Sequence, residues 1–355
     1  MHKEEGIIDA GDLKNAHEIR RFATSFLHRY HLFFLEIHYP NRFPPLRQGH
    51  FVNYAGRIAV LVVCSRFRYD KRDMKIGLSL GGGGARGYAH IGVLRALEEA
   101  QISVDLINGS SIGAIVGGAY ALYGDANELE HIAAVQVKKI SLNYSSIFSN
   151  ARVNNSFLRN FLLHAACNVS SLRSSVYSHK RNLKALDFIF ADHLFSDTVI
   201  PFSAAALDLI SGTTISIKEG KMVDGILPSI SIPGLFPPVQ RDDFLLVDGG
   251  VLAEVPVREL REEGADFVIG VSLGPDDLVR TVSNGFSIVT YIDLLKGEAL
   301  ARGEITAADF SFTVQLPGFD MLRFEGYEEA IAEGYATAKR YLPQLERKLD
   351  EARSR

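Results

Sequence analysis

Residues 75–88 read Lys75-Ile76-Gly77-Leu78-Ser79-Leu80-Gly81-Gly82-Gly83-Gly84-Ala85-Arg86-Gly87-Tyr88. A short apolar run, four consecutive glycines and a helix-like stretch over Ala89–Gln101 follow without a break. That order predicts a strand, a tight turn and a helix. Four glycines strip the turn of every Cβ, so backbone N–H groups can come close to a ligand. The helix start adds the positive end of its dipole, which suits an anion or a developing oxyanion. Gly82, Gly84 and Gly87 also satisfy G-x-G-x-x-G, the dinucleotide fingerprint. Such a site needs an acidic residue closing the next strand. Asp105 instead stands before Leu106 and Ile107, at the wrong end of the sheet.

The same alternation extends in both directions from the turn. Strands are expected at Ile76–Leu80, Val104–Ile107, Pro201–Leu209, Thr213–Ile217, Phe244–Val247, Phe267–Leu273 and Phe310–Leu316. Helices are expected at Ala89–Gln101, Ile112–Tyr123, Pro256–Glu263 and Glu328–Arg353. Strand–helix alternation argues for an α/β layered fold with a largely parallel central sheet flanked by helices. The Ser/Asn-rich interval of about 141–197, with scattered Phe148, Phe157 and Phe161, reads as a helical cap.

Two further glycine sites carry chemistry. Gly109-Ser110-Ser111-Ile112-Gly113 follows a strand and precedes an apolar helix rich in small residues. G-x-S-x-G sets a serine at the apex of a strained strand-to-helix turn, which makes Ser111 the nucleophile candidate and leaves Ser110 at the variable position. In Leu245-Leu246-Val247-Asp248-Gly249-Gly250 an apolar strand ends in a carboxylate, where ligands bind in open α/β sheets. A second such pair, Asp224-Gly225, precedes Ile226-Leu227-Pro228 and suits a turn or helix cap.

A serine nucleophile needs a base. The α/β-hydrolase order of serine, acid, histidine fails for Asp248, because no histidine follows it. His131, His164, His179 and His193 lie between, and a triad through Asp187 and His193 has no strand-end context. What remains is a pair, Ser111 with Asp248 as its direct base. A carboxylate is a poor base in water, with a reference pKa of about 3.9. Excluding water raises its readiness to accept a proton.

Gly81–Gly87, Gly109–Gly113 and Asp248-Gly249-Gly250, in this order, resemble the patatin-like phospholipase family. Gly92-Val93-Leu94-Arg95-Ala96-Leu97 and Ser229-Ile230-Ser231-Ile232-Pro233-Gly234-Leu235-Phe236-Pro237-Pro238 add to the likeness. It runs from about Lys75 to Val257, more weakly to Leu342, and leaves out residues 1–74. The resemblance implies a three-layer fold and a Ser–Asp dyad esterase acting on acyl esters of phospholipids or lysophospholipids. It makes Ser111 the nucleophile and Asp248 the proton acceptor. It assigns Gly82, Gly83, Gly84 and Arg86 to the oxyanion loop, with Gly87, Gly109, Gly113, Gly249 and Gly250 as motif positions. The rival readings are a non-catalytic partner-binding module and a nucleotide-binding protein using the glycine loop.

Composition narrows the rest. The chain of 355 residues is 47% hydrophobic and 23% charged, with a net charge of −4, which is ordinary globular composition and gives no reason to expect nucleic acid. No apolar run approaches the ~20 residues of a membrane-spanning helix, and residues 1–20 are too acidic for a secretory signal. A cytoplasmic protein is expected, with transient membrane-surface contact implied by a lipid substrate. Cys64 and Cys167 lack metal or disulfide spacing and read as small buried apolar residues; no metal or cofactor is expected. Three regions are anticipated: a basic segment over 1–74, a catalytic domain over 75–261, and a C-terminal strand and helix extension over 262–355 packed on it.

Overall fold

The computed structural model describes residues 35–37, 51–54, 57–60, 74–136, 175, 177–274, 285–319, 324 and 326–354. The chain divides into two units, Met1–Lys71 and Arg72–Arg355. In the first, the described strands β1 (Leu35–Ile37), β2 (Phe51–Tyr54) and β3 (Arg57–Val60) form an antiparallel sheet in the order β1-β3-β2. Cys64, His164 and Cys167 lie outside the described residues.

The second unit is built on β4 (Ile76–Leu80), β5 (Leu106–Ser110), β6 (Phe202–Asp208), β7 (Thr213–Ile217), β8 (Val239–Arg241), β9 (Phe244–Asp248), β10 (Phe267–Ser272) and β11 (Phe310–Thr313). Their order is β11-β10-β4-β5-β6-β9-β8, with β7 also on β6. The run from β11 to β6 is parallel, whereas β7 and β9 lie antiparallel to β6 and β8 antiparallel to β9. Parallel strands covered on both faces must be apolar throughout. Accordingly β4, β6 and β10 are buried along their whole length.

Helices complete the layers: α1 (Tyr88–Glu99), α2 (Ile112–Tyr123), α3 (Lys180–Phe190), α4 (Met222–Ser229), α5 (Val257–Glu262), α6 (Gly285–Ala307) and α7 (Tyr327–Arg353). Leu78, Leu80, Ile107, Ile269, Val271 and Phe312 join residues of α1, α2, α3, α4 and α7 in one core. On the opposite face, Val268 packs with Val255, Val257 and Leu260 of the α5 region, against Ile305 and Ala308 at the end of α6. The arrangement is three-layered, with a mixed, mostly parallel sheet in the middle.

Some boundaries differ from expectation for local reasons. The strand expected at Val104–Ile107 runs Leu106–Ser110 instead, because the Asp105 N–H and carboxylate are spent on the Ile76 backbone at 2.7 and 2.8 Å. Asp224-Gly225 is no turn but part of α4. Its glycine admits Phe195, whose ring atoms would stand 2.4 Å from an added Cβ. The 23-residue α6 was not anticipated. Most of the expected cap is outside the described residues. Its last part is α3, which buries Leu186 and Phe190 in the main core.

Candidate active site

The site is assembled around β6. Its small residues Ala204, Ala205 and Ala206 are fully buried. Ser110, the last residue of β5, pairs with Ala205 on one side, and Asp248, the last residue of β9, pairs with Ala206 on the other. Ser111 and Asp248, 137 residues apart in the chain, thereby meet beside neighbouring residues of β6. Asp248 closes its strand as expected, but β9 runs against the parallel set and stops beside mid-β6. Gly249 allows the stop, since a Cβ there would lie 2.4 Å from the Ala205 carbonyl oxygen.

Ser111 sits at φ 54°, ψ −124°, a conformation that side chains rarely adopt and that marks a sharp strand-to-helix turn. The two flanking glycines are required by contact. A Cβ at Gly109 would meet the Gly113 carbonyl oxygen at 2.2 Å, and one at Gly113 the Leu80 carbonyl oxygen at 2.1 Å. The Ser111 N–H donates to Ser229 Oγ at 3.1 Å, tying the turn to the end of α4. The Ser111 hydroxyl donates to Asp248 Oδ2 at 2.8 Å. Ser110 is buried elsewhere, its hydroxyl under the Asp-Gly-Gly turn and without a hydrogen-bond partner among the described residues.

Asp248 is 5% exposed. Its Oδ1 accepts the Gly250 N–H at 2.8 Å, and its own N–H donates to the Ser231 carbonyl at 3.0 Å. Burial pushes the carboxyl up to about 7, against the smaller opposing pull of the Gly250 and Ser111 hydrogen bonds.

The glycine loop lies against this pair, and its members divide the work. A methyl group at Gly82 would stand 3.4 Å from the Ser111 Cβ, so the loop backbone passes directly beside that serine. The Gly82 N–H, however, donates to the Glu254 carbonyl at 3.0 Å and the Gly81 N–H to the Val271 carbonyl at 2.9 Å. Gly82 therefore brings the chain close without offering its own amide, contrary to its expected place as an oxyanion donor. Gly83 (φ 140°) and Gly84 (φ 59°) open the 3₁₀ turn Gly84–Gly87, where first-turn amides have no intrahelical acceptor. Gly87 lets this turn rest on α2; a Cβ there would meet the Ile112 side chain at 2.2 Å.

Arg86 is 6% exposed and braces the loop from behind. Its Nε donates to the Gly83 carbonyl at 3.4 Å and a terminal nitrogen to the Gly274 carbonyl at 3.2 Å. These bonds make it a support of the loop. His90 holds the other end: Nε2 lies 2.9 Å from the Gly81 carbonyl, and burial lowers its pKa to about 4, so the ring is neutral and Nε2–H is the donor. Glu254 had no local signature, because it acts through its backbone carbonyl on an amide far away in sequence; His90 reaches only nine residues back, and Ser229 lay in the quoted family stretch without a role. Asp105 is spent on β4, so the ribose-binding carboxylate of a dinucleotide site is absent from the ligand end. His131 is exposed and His193 faces Asp197 at 3.6 Å; neither bonds Ser111 or Asp248. His179 lies against the Phe236 ring, with centroids 6.2 Å apart.

The family model described as patatin-like phospholipase matches residues 78–261. Among curated relatives, an uncharacterized NTE family protein of Mycobacterium tuberculosis (strain H37Rv) is 33% identical over 199 residues, 56% of this chain and 49% of that one. Human patatin-like phospholipase domain-containing protein 6 is 29% identical over 60% of this chain and 14% of its own length. Lysophospholipase NTE1 of Kluyveromyces lactis is 28% identical over 77% of this chain and 19% of that one. The chain thus spans about half the length of the mycobacterial relatives it matches. Among solved structures, VipD from Legionella pneumophila gives a TM-score of 0.39 at 13% identity, covering 86% of this chain and 72% of that one. With more than half of its residues matched by that model, the chain belongs to the patatin-like phospholipase family.

Proposed function

We propose that the protein is a serine esterase that hydrolyses carboxylic esters of lipids, lysophospholipids among them, through an acyl intermediate on Ser111. The observation that carries this is the 2.8 Å hydrogen bond from the Ser111 hydroxyl to a buried carboxylate pushed up to about 7. In the first step Asp248 takes the hydroxyl proton as Oγ bonds to the ester carbonyl carbon, and the carbonyl π pair moves to oxygen. The Gly83 and Gly84 amides meet that oxyanion; donors of this kind supply about 2.7–4 kcal/mol each. Collapse of the tetrahedral adduct breaks the ester C–O bond, and Asp248 returns its proton to the departing alcohol. Water, deprotonated by Asp248, then attacks the acyl-serine and releases the fatty acid and the Ser111 hydroxyl. No step calls on a metal or a cofactor.

Direct proton transfer to a carboxylate is reasonable here because burial has already brought its proton affinity near neutral pH. A relative named Lysophospholipase NTE1 supports the lysophospholipid class. Purified wild type, Ser111→Ala and Asp248→Asn, assayed on a nitrophenyl ester and on a lysophospholipid, test the reading. Both variants are expected to lose at least about 10³-fold in kcat/KM, in the range of lost nucleophile or base function. Full activity in Ser111→Ala would overturn it.

A further inference from the structure

The segment after Asp248-Gly249-Gly250 folds back onto the glycine loop. The Ala253 N–H donates to the Gly249 carbonyl at 2.9 Å, and the next residue, Glu254, accepts the Gly82 N–H on its own carbonyl at 3.0 Å. This docking brings the Glu254 side chain beside the loop residue that adjoins Ser111. The point where a Cβ on Gly82 would stand is 3.9 Å from Glu254 Cγ and 3.4 Å from the Ser111 Cβ, so Glu254 and the nucleophile flank the same stretch of loop. Neither residue of the dyad uses this carboxyl, and no role in the ester chemistry described above requires an acid there.

Its charged surroundings are few. Arg86 attracts it, and Glu298 of α6 repels it. Arg86 is buried behind the loop, with two of its donors on the Gly83 and Gly274 carbonyls. Glu298 lies 3.8 Å from the more exposed Arg302. Burial and Glu298 push the Glu254 carboxyl above the usual carboxylate range, with Arg86 opposing. An acyl chain is neutral, so any charge on a lipid ester is carried by the alcohol, a few bonds from the scissile carbonyl. In the proposed reaction that alcohol leaves from beside Ser111, next to the stretch of loop that Glu254 also flanks.

We infer that Glu254 sets the charge selectivity of the site, turning away esters whose alcohol bears uncompensated negative charge and admitting neutral or zwitterionic ones. The inference rests on the esterase reading of Ser111 and Asp248. It specifies a residue that discriminates between substrates rather than one that does the chemistry.

The test compares three substrates with one acyl chain on the full-length protein: monoacylglycerol (neutral), lysophosphatidylcholine (zwitterionic) and lysophosphatidylglycerol (anionic). At pH 8 wild type is expected to favour the first two over the third by about tenfold in kcat/KM, a factor equal to about 1.4 kcal/mol. Glu254→Gln should raise the anionic-to-neutral ratio by about tenfold, Glu254→Asp should keep it, and Glu298→Gln should raise it by about threefold. Lowering the pH protonates a carboxyl whose affinity for protons is raised, so the wild-type discrimination should shrink toward pH 5 and the Glu254→Gln ratio should stay flat. A ratio that Glu254→Gln does not move overturns the inference, whatever Glu298→Gln does, while leaving a Ser111-dependent esterase intact. Hydrolysis that survives in Ser111→Ala, or is absent on every ester, overturns the esterase reading itself.

Discussion

Asp248 is held where water would not leave it, and that conflict governs how the site responds to pH. In the proposed mechanism its carboxyl must be ionised to take the Ser111 proton, yet burial favours the protonated form. For the proposed esterase, kcat/KM should therefore rise tenfold per pH unit below about 7 and level off above it. A profile flat from pH 5 to 8 would exclude Asp248 as base. The same displacement has a stability consequence of opposite sign to the usual aspartate. The folded state binds the proton more tightly than the unfolded chain, so Asp248 costs stability as pH rises from about 3.8 to about 7. Over about three pKa units the limiting cost approaches ~4 kcal/mol. Asp248→Asn removes it: denaturant unfolding should show this variant gaining on wild type through that window, to a plateau of about 1–4 kcal/mol above pH 7. His90 acts in reverse. Its pKa is lowered to about 4, so its contribution is lost as the pH falls from about 6.5 toward 4, in wild type and variant alike.

Between elements, glycines decide how closely backbones approach. Gly92 on α1 and Gly334 on α7 lie where the two helices touch. A Cβ on Gly92 would stand 2.0 Å from the Ile331 carbonyl oxygen, and one on Gly334 2.0 Å from the Ala89 carbonyl oxygen. Gly92 belongs to a stretch whose family likeness was legible, but the reason for glycine there comes only from the partner helix 240 positions along the chain. Replacing either by alanine sets overpacking of about 1–3 kcal/mol against the ~1 kcal/mol alanine gains as a helix former. Since the obstructing atoms are backbone, the clash should win, and chemical denaturation should find Gly92→Ala less stable by about 1–2 kcal/mol. Gly303, in α6, meets nothing within 4 Å, so Gly303→Ala should be stabilising by about 0.5–1 kcal/mol. Two helical glycines thus have opposite expected signs.

At the scale of the molecule, the matched family region ends at residue 261, but the core does not. β10 inserts between β4 and β11, and α7 places Ile331, Ala338, Leu342, Leu345 and Leu349 in the same core as α1 and α2. A chain ending at residue 274 would expose the α1 face that α7 covers and leave β10 without β11. It should fail to unfold cooperatively, whereas the chain Arg72–Arg355 should give one cooperative transition; calorimetry of the two distinguishes them. Among the described residues no helix is long and apolar enough to cross a membrane.

Read alone, the residues determined the local grammar of this protein: apolar runs, glycine turns and helix starts whose requirements are met within a few neighbours. Ile76–Leu80, Thr213–Ile217 and Ile112–Tyr123 could be delimited to the residue for that reason, and Ser111 and Asp248 could be singled out by turn chemistry and by the lack of a later histidine. What only tertiary structure decided is everything that depends on strand order. The antiparallel arrival of β9 on β6 brings Asp248 level with Ser110. The Glu254 carbonyl claims the Gly82 amide, and Arg86 is turned to the back of the loop. A backbone hydrogen bond across the fold has no side-chain signature in sequence, because the donor and acceptor are present at almost every residue and only register selects which pair meets.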